Sequence, residues 1–371
     1  MRHYEGMRHL RTICTLLVGL VLLTAALVPV FAAGADSSAL TPEDLLAAVP
    51  ALADVAGVVA TPADWWPNFP EFNVGPADPQ PRPGERFYLV QNFSKFDDRE
   101  QSRLEVTVML FNGPKEAHRA FVDLSSRSAQ GAQVVKAPRL GDQSRYFAFS
   151  SEPSETTMRY RVGPMVGRVT LFSRGAPAPM DGVSKYGAAL VGKLQDLLDG
   201  KLAAPSLPAD FAKVMPPAAV ATEVGPVLGS AVVPVEAWAL ADTANDPVQI
   251  RDLLKAGGVA NLYCRRYAAQ GVPGQVIEAT AFQFKDAQAA SDWVWRFIRE
   301  VAARGPFYDP GDTGILRAFT LRGGSNFELQ FAKGRLVGDV SGMSPFGELN
   351  PKAMPLVRKT AELWWNAVPL G

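Results

Sequence analysis

Histidine and cysteine, which often act as bases, nucleophiles and metal ligands, are rare in this sequence. The chain has 371 residues with three His and two Cys, and only His118 and Cys264 lie beyond residue 35. A catalytic triad needs a base partnered with a nucleophile and oriented by a carboxylate, and the sequence contains no Gly-x-Ser-x-Gly elbow. One His and one Cys cannot build a Cys/His metal site. We therefore predict no catalytic residue, no metal site and no cofactor.

Carboxylates are the remaining side chains that could catalyse a reaction, because a pair of them can hydrolyse a glycosidic bond. The most acidic run, Asp97-Asp98-Arg99-Glu100, mixes both charges and predicts a solvated turn. Asp142 and Asp312 each follow a glycine at corresponding places in the two halves of the chain. Gly-Asp is also typical of turns. A secreted carboxylate-dependent hydrolase acting through Asp142 or Asp312 is therefore an alternative to a non-enzymatic role.

Aromatic residues are the strongest sign of a binding surface. Trp65, Trp66 and Phe69 place three large rings in one short segment that contains two prolines. Exposed rings of this kind can stack on sugars or hold a hydrophobic ligand or a partner. Trp295 lies two residues after Trp293 on a predicted helix, so the two rings cannot both face one side. We predict Trp65, Trp66, Phe69 and Trp295 as ligand contacts, with core packing as the alternative.

The N-terminus has the three parts of an export signal. Three arginines precede an uncharged run over residues 13–31, and Ala33-Gly34-Ala35 then supplies a cleavage site of the A-x-A kind. The apolar run also approaches the length of a membrane span, so an uncleaved anchor is the alternative. Either arrangement places the rest of the chain outside the cytoplasm, whether secreted, periplasmic or on the cell surface. We expect contact with a membrane only through an uncleaved N-terminal segment.

Cleavage after residue 35 changes the charge and the cysteine content. It takes three Arg and one Glu from 37 basic and 37 acidic residues, which leaves a net charge of −2 with His neutral. This balance gives no electrostatic reason to expect nucleic acid as a partner. Cys264 then has no second cysteine to bond within the chain. We expect a buried, inert side chain there, with a free reactive thiol or a cross-chain disulfide as alternatives.

The two halves repeat one succession of patterns. Residues 104–111 alternate like a strand and lead through a turn into a helix, and residues 277–284 do the same. The offset of 173 pairs Glu105 with Glu278 and Trp65 with Trp238. Downstream, hairpin patterns surround Gly163-Pro164 and Ala332-Lys333-Gly334. The shared order of these patterns favours an internal duplication. Chance similarity between two α+β segments is the alternative explanation.

These patterns predict an α+β fold made of two tandem copies of a two-layer domain. Each copy has a mostly antiparallel sheet with helices on one face. We assign residues 1–35 to the signal segment or anchor and residues 36–200 to the first copy. Residues 201–222 form a linker rich in Pro and Ala, and residues 223–371 form the second copy.

The second copy resembles exported bacterial α+β families. Residues 256–263 read Ala-Gly-Gly-Val-Ala-Asn-Leu-Tyr, and residues 282–287 read Phe-Gln-Phe-Lys-Asp-Ala. These two segments are similar to the "Gly-Gly-Ala…Leu-Tyr" lead and the strand–helix junction of a secreted bacterial domain family of unknown function. The order of the strands and helices around them also resembles that of PsbP-like lipoproteins. The resemblance implies a binding or scaffolding role and brings no catalytic residues.

The leading hypothesis is an exported, non-enzymatic binding or scaffold protein. Its ligand would be a small molecule, a glycan or a protein partner, held in a cleft between the two copies. A structural cell-surface module is a further alternative, beside the hydrolase described above.

Overall fold

Two antiparallel β-sheets with packed helices make up the structure, which is a computed structural model. It describes residues 39–74, 82–95, 102–150, 153–174, 178–202, 206–241, 246–304, 318–322, 326–344 and 350–369. The predicted signal segment, the acidic run at residues 97–100 and Asp312 lie outside these residues. The α+β class is confirmed.

The first sheet has eight strands, and the residue pattern of β4 shows why it is buried on both faces. Its order is β1-β3-β4-β8-β7-β6-β5, and β2 pairs with β3 beside β1. Leu104, Val106 and Val108 of β4 point to one face, whereas Met109 and Phe111 point to the other. The strands are β1 Trp65–Pro67, β2 Glu71–Val74, β3 Glu85–Lys95, β4 Arg103–Phe111, β5 Gln133–Val135, β6 Gln143–Phe149, β7 Ser154–Val162 and β8 Met165–Ser173.

Within the described residues, the second sheet has six strands in the order β12-β13-β14-β11-β10-β9. The turn of the β13–β14 hairpin contains Gly334, whose φ of 57° lies in the left-handed region. Gly163 has a φ of 54° in the matching β7–β8 hairpin of the first sheet. The strands are β9 Val227–Pro234, β10 Asn261–Ala268, β11 Val276–Gln283, β12 Ala318–Arg322, β13 Asn326–Lys333 and β14 Leu336–Met343.

Nine α-helices lie within the described residues, and local sequence explains where several begin. Thr41 and Asp44 form a capping box at the start of α1, and the Asp246 side chain accepts from the Val248 amide at the start of α7. The helices are α1 Pro42–Ala48, α2 Pro114–Ala129, α3 Met180–Leu198, α4 Phe211–Val214, α5 Ala219–Glu223, α6 Val235–Ala241, α7 Pro247–Ala256, α8 Ala287–Arg304 and α9 Met354–Ala367.

Helices cover both faces of each sheet, which corrects the prediction of helices on one face. In the first sheet, α2 packs on the face of Met109, and α3 packs on the face of Val106. In the second sheet, α8 packs on the face of Phe282 and α9 on the face of Ala279. The physical reason is that β4 and β11 are apolar on both faces, so each needs cover on both sides.

One hydrophobic core joins the two sheets. It contains Phe72 and Val106 from the first sheet together with Ala231, Leu262 and Phe282 from the second. The close approach is visible at Gly229 of β9, where a Cβ atom would lie only 2.6 Å from the ring of Phe72. The face of the second sheet that carries α8 therefore packs against the β2 edge of the first sheet.

The segment predicted as a linker has packed residues in its second half. Phe211, Val214 and Val220 are buried in the core between the second sheet and α9. The indole nitrogen of Trp364 donates to the carbonyl of Val214 at 3.0 Å. The domain boundaries stay predictions, but residues 211–224 contact the second sheet closely.

Corresponding strands have the same neighbours in both sheets. The order β3-β4-β8-β7-β6 in the first sheet matches β10-β11-β14-β13-β12 in the second, position by position along the chain. Glu105 and Glu278 occupy matching places in this order, as predicted. Trp65 and Trp238 do not, because Trp65 lies in a strand and Trp238 in helix α6.

Candidate functional site

A buried arginine marks the place where the two sheets meet. Arg266 is directly opposite Glu278 across β10 and β11, and its Nε donates to the Glu278 carboxylate. Its Nη1 lies 3.4 Å from both the Phe72 carbonyl and the Asn73 side-chain oxygen of β2. Burial acts to lower the pKa of Arg266, but the carboxylates of Glu278 and Glu71 outweigh it, and the pKa is raised. Arg266 is therefore a cation that links the second sheet to the edge of the first.

Glu71 adds a second carboxylate beside this arginine. The residue keeps an open side toward solvent, although the protein surrounds it on its other sides. That enclosure raises the pKa of Glu71; the charge of Arg266 opposes the shift, and Glu278 and Glu105 add to it. A carboxyl group with a raised pKa that still reaches solvent can exchange hydrogen bonds with a ligand.

Trp66 and Glu105 project from the same face of the first sheet as Glu71. Trp66 is opposite Ser94, Glu105 is opposite Asn92 and Glu71 is opposite Val90, and these β3 positions alternate onto one face. We call Trp66, Glu71, Glu105, Arg266 and Glu278 the seam. The seam combines Glu71 and the Arg266–Glu278 pair, where β2 meets the second sheet, with Trp66 and Glu105 on the same face of the first sheet.

A pair of carboxyl groups lies further along the second sheet, on the face of Glu278. The Gln330 amide nitrogen donates to Asp339 Oδ2 at 2.8 Å and to Glu328 Oε1 at 3.0 Å. The Ser341 hydroxyl donates to Asp339 Oδ1 at 3.2 Å. Gln330 is 1% exposed, and its Oε1 has no partner within the described part of the chain.

This pair favours a protonated Asp339. Burial raises the pKa of Asp339 well above its ordinary value, and the adjacent carboxylate of Glu328 raises it further. Two carboxyl groups that cannot both ionise are the arrangement used for acid–base chemistry, although buried networks also produce it. Asp339 is 6% exposed, so its carboxyl group has little direct contact with solvent.

The four predicted ligand contacts are distributed among different environments. Trp66 is half-buried in the seam, and Phe69 is 7% exposed with its ring 6.0 Å from the Arg266 guanidinium. Trp65 packs against the shared core on the opposite face of the sheet. Trp295 is 49% exposed on α8, while its neighbour Trp293 packs against Trp238. Phe69 thus lies beside Arg266, and Trp66 shares the sheet face of Glu71.

Asp142, His118 and Cys264, the other side chains with catalytic potential, lie in environments different from that of the Glu328–Asp339 pair. Asp142 is exposed in a turn, where its carboxylate accepts from the Gly163 amide at 2.8 Å and pairs with Arg161 at 3.0 Å. His118 is exposed on α2, and its Nδ1 lies 2.9 Å from Gln143 Oε1. The Cys264 thiol is free and buried, and burial raises its pKa well above the ordinary value. None of these three contacts either carboxyl group of the Glu328–Asp339 pair in the described residues.

Sequence reasoning missed Glu71, Arg266, Glu278 and the Glu328–Asp339 pair. One signal was available for Arg266 and Glu278, since each interrupts an otherwise mostly buried, apolar run of its strand. Charges at such positions are expensive unless they are paired. Glu71 on β2 carries no comparable signal in the sequence, because its proximity to Arg266 depends on how the two sheets pack.

In the described ranges, no three His, Cys, Asp or Glu side chains are placed so that they could hold a metal ion. None of the helices described is both long and apolar enough to cross a membrane. No protein-family model matches the sequence, and no curated protein matches it significantly.

Proposed function

We propose that this chain is an exported, non-enzymatic binding protein that holds its ligand at the seam. The observation that carries the proposal is the position of Glu71. Glu71 is an exposed residue whose carboxyl group interacts electrostatically with the Arg266–Glu278 pair, where β2 of the first sheet contacts the second sheet. Ligand sites in proteins are often found where two structural units meet, with a few polar groups that converge.

The composition of the seam favours a hydroxyl-rich ligand such as a glycan. Carboxylates accept hydrogen bonds from hydroxyl groups, and Trp66 offers an apolar ring surface on the same face as Glu71. Arg266 and the adjacent Arg168 are already paired with Glu278 and Glu105, which leaves them less able to bind an anionic ligand at this place. The resemblance to exported bacterial families supports the same role, and the N-terminal pattern supports export.

The test is glycan binding by the full chain and by Glu71→Gln. Thermal shift and calorimetry against neutral, amino and acidic sugars should find a ligand for the wild-type chain. Glu71→Gln should weaken its affinity about tenfold, the size expected when a hydrogen bond to a charged group is lost. Asp142→Asn is the matched control, since this exposed carboxylate lies in a turn and should leave the affinity unchanged. Absence of any ligand, or equal loss in both variants, would reject the proposal.

A carboxylate-dependent hydrolase is the second candidate, and one observation favours it. Glu328 and Asp339 both accept from the Gln330 amide, which holds two carboxyl groups side by side. If this pair were catalytic, Asp339→Asn would abolish hydrolysis of a bound glycan without preventing its binding. Unchanged sugar after prolonged incubation with the wild-type chain would eliminate this candidate.

We also infer that the two sheet units arose by duplication. The matched order of five strands supports this origin, as do the matched positions of Glu105 and Glu278.

A further inference from the structure

Three arginines form one row across the first sheet. Arg145 of β6 is opposite Arg159 of β7, and Arg159 is opposite Arg168 of β8. Directly opposite residues in antiparallel strands project from the same face with Cβ atoms about 5 Å apart. We call these three residues the arginine row; they lie on the face that packs against α2.

The arginine row carries three positive charges, but within the described residues only one of them is paired with a carboxylate. Arg168 pairs with Glu105. Arg159 donates from Nε to the Ser128 hydroxyl at 2.7 Å. Among the described residues, no carboxylate forms an ion pair with Arg159 or Arg145. The terminal nitrogens of Arg159 therefore remain available for a charged acceptor.

The surroundings of Arg159 are unfavourable for a cation. Burial, together with the positive charges of Arg168 and Arg82, lowers the pKa of Arg159 to about 10, and Glu155 and Asp123 oppose this shift only in part. Like charges directly opposite one another on a sheet are destabilising. A half-buried guanidinium in this position costs stability unless an anion compensates it.

The fold itself does not require arginine in this row. In the second sheet, Gln330 and Asp339 occupy the matching places beside Thr280, as Arg159 and Arg168 do beside Thr107. The same strand order is thus compatible with a glutamine and an acid. The strand order therefore does not explain why three arginines lie together in the first sheet. A ligand of opposite charge would explain it.

We propose that Arg145 and Arg159 bind an oxyanion, the carboxylate or phosphate group of a ligand, with Arg168 as a neighbouring positive charge. The planar guanidinium fork matches both groups, because two parallel N–H donors meet two oxygens. The exposed Arg145 reaches the site from solvent, and the half-buried Arg159 forms its floor. This site goes beyond the seam proposed above, whose guanidinium is already paired with Glu278.

The test compares anions at constant ionic strength on the full chain. Inorganic phosphate and acetate, each balanced against chloride, represent the two oxyanion classes. At least one should raise the melting temperature of the wild-type chain saturably and give a measurable Kd by calorimetry. Arg159→Gln and Arg145→Gln should each weaken that Kd about tenfold or more.

Two controls separate binding from structural effects. Arg127→Gln removes an exposed arginine that is paired with Asp123 on α2, and it should keep the wild-type Kd. Without added anion, Arg159→Gln should be at least as stable as the wild type, because it removes an unpaired charge. If Arg159→Gln does not fold, the Kd of Arg145→Gln still tests the proposal, because Arg145 is exposed. The proposal is overturned if neither anion acts differently from chloride, or if Arg145→Gln binds as tightly as Arg127→Gln.

Discussion

At the scale of single residues, the polar groups on the sheet faces govern the chemistry. Arg266 can be buried because Glu278 neutralises it and the β2 backbone accepts from it. Removing one member of such a pair leaves an uncompensated charge, which is why these residues depend on one another. Asp339 follows a different solution, since a carboxyl group that stays protonated needs no counter-ion.

The protonated state of Asp339 predicts a pH dependence of stability. Burial and Glu328 raise its pKa in the folded protein above that of the unfolded chain. The protonated carboxyl therefore contributes fully to the free energy of unfolding at pH values below the pKa of the unfolded chain, about 4. This contribution is lost as the pH rises through the pKa of Asp339 in the folded protein. Asp339→Asn stays uncharged, so its free energy of unfolding should fall less with rising pH. At neutral pH it should exceed the wild type by about 1 kcal/mol or more.

Urea unfolding at a series of pH values measures this difference. The side-chain oxygen of the new Asn can still accept from the Gln330 amide nitrogen, as Asp339 Oδ2 does. Asp142→Asn is the control, since its carboxylate is exposed and should not reproduce the effect. Parallel pH curves for Asp339→Asn and the wild type would show that Asp339 is ionised in the folded protein.

At the scale of elements, the contact between β2 and β9 holds the sheets together. Phe72 of β2 is fully buried, and its ring lies over Gly229 of β9. The absence of a side chain at Gly229 lets the edge of one sheet reach the face of the other. The same approach brings Glu71 and Asn73 to Arg266.

Gly229→Ala should weaken this contact. The new Cβ would lie 2.6 Å from the Phe72 ring, so the sheets or the ring must shift, at a cost of about 1–3 kcal/mol. Gly192→Ala is the matched control, because nothing lies within 4 Å of its Cβ position on helix α3. There the change should stabilise the protein by about 0.5–1 kcal/mol. Chemical unfolding measures both, and an unchanged stability in Gly229→Ala would mean that the sheets are not in close contact.

At the scale of the whole molecule, the shared core predicts that the two sheet units unfold together. Residues of both sheets and of α1 belong to one buried cluster, so opening either unit exposes apolar surface on the other. Five of the seven tryptophans lie beyond residue 223, so fluorescence reports mainly the second unit, whereas far-UV circular dichroism reports both. The two signals should change at the same urea concentration.

Separately expressed halves extend this prediction. The fragments 36–200 and 223–371 should be markedly less stable than the full chain, because each exposes its part of the shared core. The second fragment also lacks Phe211 and Val214, which pack under α9. Two resolved transitions in the full chain, or a fragment as stable as the full chain, would instead indicate independent domains.

The amino-acid sequence by itself determined the local features of this protein. Alternation in β4 and β11 predicts strands, glycines at positions 163 and 334 predict hairpin turns, and the matched patterns predict Glu105 and Glu278 at equivalent places. The scarcity of His and Cys is likewise a property of the sequence alone. These features depend on near neighbours in the chain, so local physics is enough to predict them.

Only the tertiary structure decided how the sheets meet and which groups become neighbours. Arg266 contacts Phe72 across 194 residues of chain, and no periodic pattern encodes such a distance. The placement of helices on both faces also escaped prediction, because an apolar residue is equally compatible with burial under a helix or against another sheet. The seam and the arginine row exist because strand register and sheet packing bring distant charges together, and that juxtaposition is a property of the folded molecule.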